Sequence, residues 1–311
     1  RYRLLALLGC GSFGAVCKAL DRRTGRVVAL KRVPDALQTV DAARRVLREV
    51  VVLNRLDHPN IIKIFSIFHT PATSGARVLD PDSFTLVPVS VDMYMAFEYA
   101  TGGDLYGLRG DMSADEVRSL MHQLASAVKY LHDVGVWHRD IKSANILCGR
   151  NRLGGRVGKS FAEREMLTGV VATPCYRAPE VIMSEGKYTG AMDVWALGCI
   201  FGELLQRQSA GAHTPHLTIS PLLGENLGED ETRTLDAEMR DARDLVRESR
   251  VRARLNLFFD VIGTPSWHDV DAVSSERWRR AGEQAVDLLL RMLTFDPRRR
   301  ASPDEILAHE Y

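Results

Sequence analysis

With 311 residues, 45% of them hydrophobic and 26% charged, the chain holds enough apolar material for two lobes around substantial cores. A net charge of +1 gives no electrostatic reason to expect nucleic acid or an anionic membrane as its main partner. Five scattered cysteines without a CxxC argue for a reducing compartment and against a disulfide framework or a zinc site, and no run reaches the roughly 18 apolar residues of a membrane span.

The opening "RYRLLALLGC" has the look of a secretory h-region. It runs straight into "GCGSFGAV" and "VVALK" instead of a cleavage site, which weakens that reading. Residues 1–31 alternate in the strand manner, as "YRLLALLG", "AVCKAL" and "GRVVALK", and predict three antiparallel strands, the first two joined by a glycine loop. Residues 39–56 have helical spacing, with Ala42, Val46, Glu49 and Leu53 on one face. "NIIKIFSIF" (60–68) and "DMYMAFEY" (92–99) read as two further strands. Residues 70–91, rich in Pro, Ser and Thr, read as a long surface loop.

After Gly103 the pattern turns helical. Residues 113–135 open with a capping box, Ser113 to Glu116, and keep Val117, Leu120, Leu124, Val128 and Leu131 in phase. "AMDVWALGCIFGELLQ" (191–206) predicts a buried helix. "AGEQAVDLLLRMLTFDP" (281–297) and "SPDEILAHEY" (302–311) predict two more, the last with a second capping box at Ser302 and Glu305. Residues 206–254 read as a charged surface insert in which Leu235, Met239, Ala242 and Val246 could line an amphipathic helix. The expected organisation is a strand-rich lobe over 1–97 and a helical lobe over 98–311, with the boundary near Phe97–Gly103.

Gly9, Cys10, Gly11 and Gly14 form a loop between two strands that could cover phosphates, since glycine lets backbone approach phosphate oxygens. A GxGxxG in a tight hairpin is weak evidence by itself. "VALK" strengthens it, because Lys31 on the following strand could reach α- and β-phosphates, and Glu49 on the next helix could hold that ammonium. "HRDIKSAN" (138–145) is more specific. There Asp140 could accept the proton of an attacking hydroxyl, Lys142 could neutralise a transferring phosphoryl group, and Asn145 could give a carbonyl oxygen to magnesium. The bland alternative is a polar turn after a helix.

The order GCGSFGAV, VALK, Glu49, HRDIKSAN, "YRAPE" (176–180), "DVWALG" (193–198) and "DPRRRAS" (296–302) resembles a eukaryotic protein kinase over essentially the whole chain. "LTGVVATPCYRAPE", "LNLFFDVIGTPS" and "DLLLRMLTFDPRRR" are similar to the proline-directed group that includes the mitogen-activated protein kinases. The resemblance implies a bilobal α+β fold, ATP and Mg2+ as cofactors, and transfer of a phosphoryl group to Ser or Thr followed by Pro. It further implies protein substrates and an upstream activating kinase as partners, a monomeric state, and a cytoplasmic or nuclear location. Val16, Ala29 and Leu147 would sandwich adenine, Phe97 would stand behind it, and Glu98 and Ala100 would offer it backbone groups. Glu180 would pair with Arg300, Asp193 would hold the catalytic loop, and Thr168 would be the regulatory phosphorylation site.

Three departures stand out. No aspartate occurs between Asp140 and Asp193, so the family's Asp-Phe-Gly, which supplies the second metal ligand, has Ser160-Phe161-Ala162 as its best local match. Ser160 offers one neutral oxygen in place of a carboxylate, a poor hard-cation ligand, with Glu163 as a nearby substitute. A coding segment lost from the sequence accounts for the gap equally well, and a pseudokinase that binds partners or nucleotide is the alternative function. The activation lip reads Thr168-Gly169-Val170 instead of Thr-x-Tyr. Cys175 stands where the family has Trp, which puts the usual packing beneath the substrate loop in question.

Overall fold

The computed structural model describes residues 1–11, 14–108, 110–149, 158–159, 174–183, 189–207 and 283–311. The alternation at the amino end becomes β1 (Tyr2–Gly11), β2 (Gly14–Asp21) and β3 (Val27–Val33). With β4 (Ile64–Pro71) and β7 (Val91–Glu98) they form a five-stranded sheet in the order β1-β2-β3-β7-β4, and every neighbouring pair is antiparallel.

Helix α1 (Val40–Arg55) starts where the Thr39 side chain accepts the Ala42 N–H at 3.1 Å, a side-chain cap for an otherwise orphan donor. Its inward face brings Val46 and Leu53 into a cluster with Val33, Ile62, Met95 and Phe97 beneath the sheet. Glu49 lies on the same face, as the spacing predicts.

Two strand expectations need correction. Residues 70–91 are not a bare loop: β5 (Arg77–Leu79) and β6 (Leu86–Pro88) pair as a small antiparallel hairpin. The apolar run from Asn60 does not pair until Ile64, because Ile61 and Ile62 serve packing instead of the ladder. Ile61 packs with Ala127 and Leu131, and Ile62 packs beneath the sheet.

The helical part is built on α2 (Ala114–Asp133) and α4 (Ala191–Gln206). Both halves of the Ser113–Glu116 capping box are made, and the predicted stripe from Val117 to Leu131 is fully buried. Every residue of α4 from Met192 to Leu205 is buried, including Asp193 and Glu203. Short α3 (Pro179–Met183), α5 (Glu283–Met292) and α6 (Pro303–Leu307) complete this core. Both last helices are shorter than the sequence suggests. After α5, Thr294 turns its hydroxyl back to the Leu290 carbonyl and Pro297 brings no N–H, so the helix cannot continue. Cys175 is buried in this core beside Tyr176 and Ala178, so its small side chain is accommodated without the larger Trp. The chain is thus an α+β molecule with a strand-rich part followed by a helical part.

Candidate active site

Register places the glycine loop over β3. Gly9 pairs with Val16, Gly11 with Gly14, and Val16 in turn with Lys31. Gly14 has φ +124°, and a Cβ there would lie 1.8 Å from the Arg32 carbonyl oxygen, so only glycine fits. Cys10 is exposed at the end of β1.

Lys31 Nζ lies 3.0 Å from Glu49 Oε1 and 3.3 Å from Oε2, with both side chains largely shielded. A shielded ammonium needs such a partner. Ala29 is directly opposite Phe97, and Val28 is opposite Glu98. Ala29 and Leu147 both pack against the cluster that contains Phe97. Val16 is half-buried on β2. Beyond the strand, Ala100 is half-buried. At Gly102 a Cβ would meet the Gly149 carbonyl at 2.5 Å, which shows how closely the turn after β7 passes the segment that follows residues 138–145.

That loop is tied down from three sides. Buried Asp193 accepts the backbone N–H of His138 at 2.9 Å and of Arg139 at 2.8 Å, and His132 Nε2 lies 3.0 Å away. These bonds hold Arg139 at φ +65°, a conformation that costs free energy without support. Burial pushes the Asp193 carboxyl up. The bonds from His132, the charge of His138 and the two backbone amides outweigh it and hold the group below its usual range. A carboxyl so lowered stabilises the fold fully above the unfolded-state value, and this contribution is lost as pH falls through the folded value. Acid titration of the melting temperature should therefore show a shallower loss below about pH 5 in Asp193→Asn than in the wild type. Identical slopes would contradict the assignment.

Asp140 is only 3% exposed. Its Oδ2 accepts Asn145 Nδ2 at 2.8 Å and lies 3.3 Å from Lys142 Nζ, whereas Oδ1 is buried without a hydrogen-bond partner. An orphan carboxylate oxygen is costly, and a substrate hydroxyl would satisfy it. Asn145 also donates to the Asp140 carbonyl at 2.8 Å, so its remaining group is the amide oxygen, the atom type magnesium takes. Among the described residues no cluster of three or more His, Cys, Asp or Glu is placed to hold a metal. The Asn145 amide oxygen fits an ion carried in with nucleotide phosphates.

Strands β8 (Ile146–Leu147) and β9 (Gly158–Lys159) pair with Ile146 opposite Lys159, so β9 leads back toward Asn145. Ser160, Phe161, Ala162, Glu163 and Thr168 lie outside the described residues, as does most of 206–254.

The sequence reading missed a buried link beneath the loop. The Ser143 hydroxyl donates to Glu203 Oε2, and the Tyr176 hydroxyl reaches Ser143 Oγ at 3.3 Å. Burial pushes both the Glu203 carboxyl and the Tyr176 phenol up. A glutamate in the apolar run from Trp195 to Leu205 was the available signal.

The protein kinase domain family matches residues 2–311. The chain belongs to the protein kinase family. This kinase is 31% identical over 310 residues to "Mitogen-activated protein kinase 1" of Oryza sativa subsp. japonica, covering 98% of itself and 70% of that protein. It is 32% identical over 319 residues to "Mitogen-activated protein kinase HOG1" of Arthrobotrys oligospora, covering 100% of itself and 80% of the relative. Against "Stress-activated protein kinase jnk-1" of Caenorhabditis elegans it is 33% identical over 315 residues, covering 100% of itself and 64% of the relative. These relatives place the kinase with the mitogen-activated serine/threonine type. The family works with ATP and magnesium on protein substrates. No helix among the described residues is long and apolar enough to cross a membrane.

Proposed function

We propose that this kinase transfers the γ-phosphoryl group of ATP to a serine or threonine hydroxyl that precedes proline. The observation that carries the reading is Asp140, buried, fixed through one carboxylate oxygen by Asn145 and Lys142, and left with the other oxygen unpartnered. The substrate hydroxyl gives its proton to Asp140 as its oxygen bonds to the γ-phosphorus, and the bond to the β,γ-bridging oxygen breaks to release ADP. Lys142 offsets charge on the transferring group, and Lys31, braced by Glu49, holds the α- and β-phosphates. Gly9, Cys10, Gly11 and Gly14 cover the phosphates, Val16, Ala29 and Leu147 enclose the base, and Phe97, Glu98 and Ala100 border it. When bound at Asn145 with the nucleotide, magnesium supplies positive charge at the phosphate oxygens. Residues 1–97 and 98–311 act as the two lobes, and phosphorylation of Thr168 by an upstream kinase activates a monomeric enzyme in the cytoplasm or nucleus.

A second reading, a nucleotide-binding pseudokinase, is favoured by one observation: the stretch between Asp140 and Asp193 holds no aspartate. Two experiments separate the readings. ATP should raise the melting temperature under either, because a ligand of the native state stabilises it by mass action. A peptide array should show Ser-Pro peptides phosphorylated well above Ser-Ala peptides. Equal labelling would remove the proline preference, and ATP-dependent stabilisation without any labelling would favour the pseudokinase.

A further inference from the structure

Before α1 begins, the connection from β3 is gripped by the start of β7. Three successive backbone N–H groups are received there: Asp35 by Asp92 Oδ1 at 3.0 Å, Ala36 by the Val91 carbonyl at 2.7 Å, and Leu37 by Ser90 Oγ at 2.9 Å. Asp92 is wholly buried. Its second oxygen accepts Arg32 Nη2 at 2.8 Å and Nε at 3.2 Å, and also the Thr73 hydroxyl at 3.1 Å and N–H at 3.3 Å. Burial pushes this carboxyl up, yet the Asp35, Arg32 and Thr73 bonds hold it below its usual range. Asp35 itself sits at φ +52°, outside the region that non-glycine residues normally occupy, and the bond to Asp92 supports it there.

The grip lies at the root of α1. Val40, Leu47 and Val51 of α1 are exposed, whereas Val46 and Leu53 pack beneath the sheet. The direction in which the chain enters α1 therefore helps decide where Glu49 falls. Arg32, the residue after Lys31, is held by the same carboxylate. One buried aspartate thus anchors both the strand that carries Lys31 and the connection that leads to Glu49.

We propose that Asp92 is a positioning residue for the Lys31–Glu49 pair: by holding Asp35 and Arg32 together it sets the 3.0 Å contact on which phosphate binding depends. The proposal rests on Lys31 as the phosphate-holding lysine. A misplacement of about 1 Å is enough to matter in such a site.

The test is a double-mutant cycle in the full chain, with Asp92→Asn made in wild-type and Glu49→Gln backgrounds. ATP affinity is measured by calorimetry, and amide hydrogen exchange is followed across 35–53. Asp92→Asn should weaken ATP binding about tenfold in the wild type but less than about twofold beside Glu49→Gln, because coupled residues are not additive. Exchange should quicken at Asp35 and around Glu49. Ser90→Ala, which removes only the Leu37 contact, should show the same pattern with a smaller loss of about threefold if Asp92→Asn fails to fold. Equal losses in both backgrounds would mean that Asp92 merely stabilises the sheet, and would overturn the proposal. If the wild type binds no ATP, the phosphate-holding reading of Lys31 fails and exchange alone decides. Faster exchange around Glu49 then supports the positioning role, and unchanged exchange overturns it.

Discussion

Asp140→Asn should lower the turnover rate by about 10²- to 10⁴-fold, the usual contribution of a positioned general base. The asparagine keeps an oxygen for Asn145 and Lys142, so the loop should hold its shape. It cannot take the hydroxyl proton. Affinity for ATP should stay near the wild-type value, because the proposed mechanism gives the hydroxyl to Asp140 and the nucleotide to Lys31 and the residues around Phe97. Steady-state kinetics with a Ser-Pro peptide, together with nucleotide titration, read both quantities. A loss of ATP binding equal to the loss of rate would make Asp140 structural, and an unchanged rate would remove it from the mechanism.

Arg300→Ala should destabilise the fold by about 3–5 kcal/mol, the range found when one partner of a buried ion pair is removed. The guanidinium is fully buried and grips Glu180 through two bonds of 2.7 and 2.9 Å. It also donates to the carbonyls of Ala191, Thr294 and Phe295, which joins α3, α4 and the turn after α5. Truncation takes the guanidinium's bonds from the Glu180 carboxylate and from three carbonyls. Lysine should not rescue the loss, since an ammonium cannot reproduce the planar fork. The pairing Arg300→Met with Glu180→Gln should recover part of it, because the orphaned charge is gone. Denaturant unfolding monitored by circular dichroism checks the series. A cost below about 1 kcal/mol for Arg300→Ala would place the pair among ordinary surface bridges.

Local periodicity and short-range chemistry were legible in the sequence. Alternation gave β1 to β3, the 3.6-residue repeat put Glu49 on the inner face of α1, and both capping boxes formed as their spacing predicts. The glycine-bearing strand ends and Lys31 also came together, because register in a three-strand meander leaves little freedom. Contacts between distant parts of the chain follow no local pattern: Glu180–Arg300 and the hold of Asp193 on residues 138–139 came only through the family resemblance, and others were not legible. Asp92 meets Asp35 across 57 residues and Ser143 meets Glu203 across 60, and no local pattern marks such pairs. The β5–β6 hairpin escaped notice because each strand spans only three residues and Val78, Leu79 and Leu86 face solvent. Ile61 and Ile62 looked like strand residues because burial without pairing leaves the same apolar signature.

The most direct measurement uses the purified chain, Mg2+ and γ-labelled ATP, with a Ser-Pro peptide and with Asp140→Asn as its control. Label should reach the peptide serine in the wild type and fall by about 10²-fold or more in the variant. Stable nucleotide binding with no transfer above the Asp140→Asn level would contradict the enzymatic account and leave a nucleotide-binding pseudokinase.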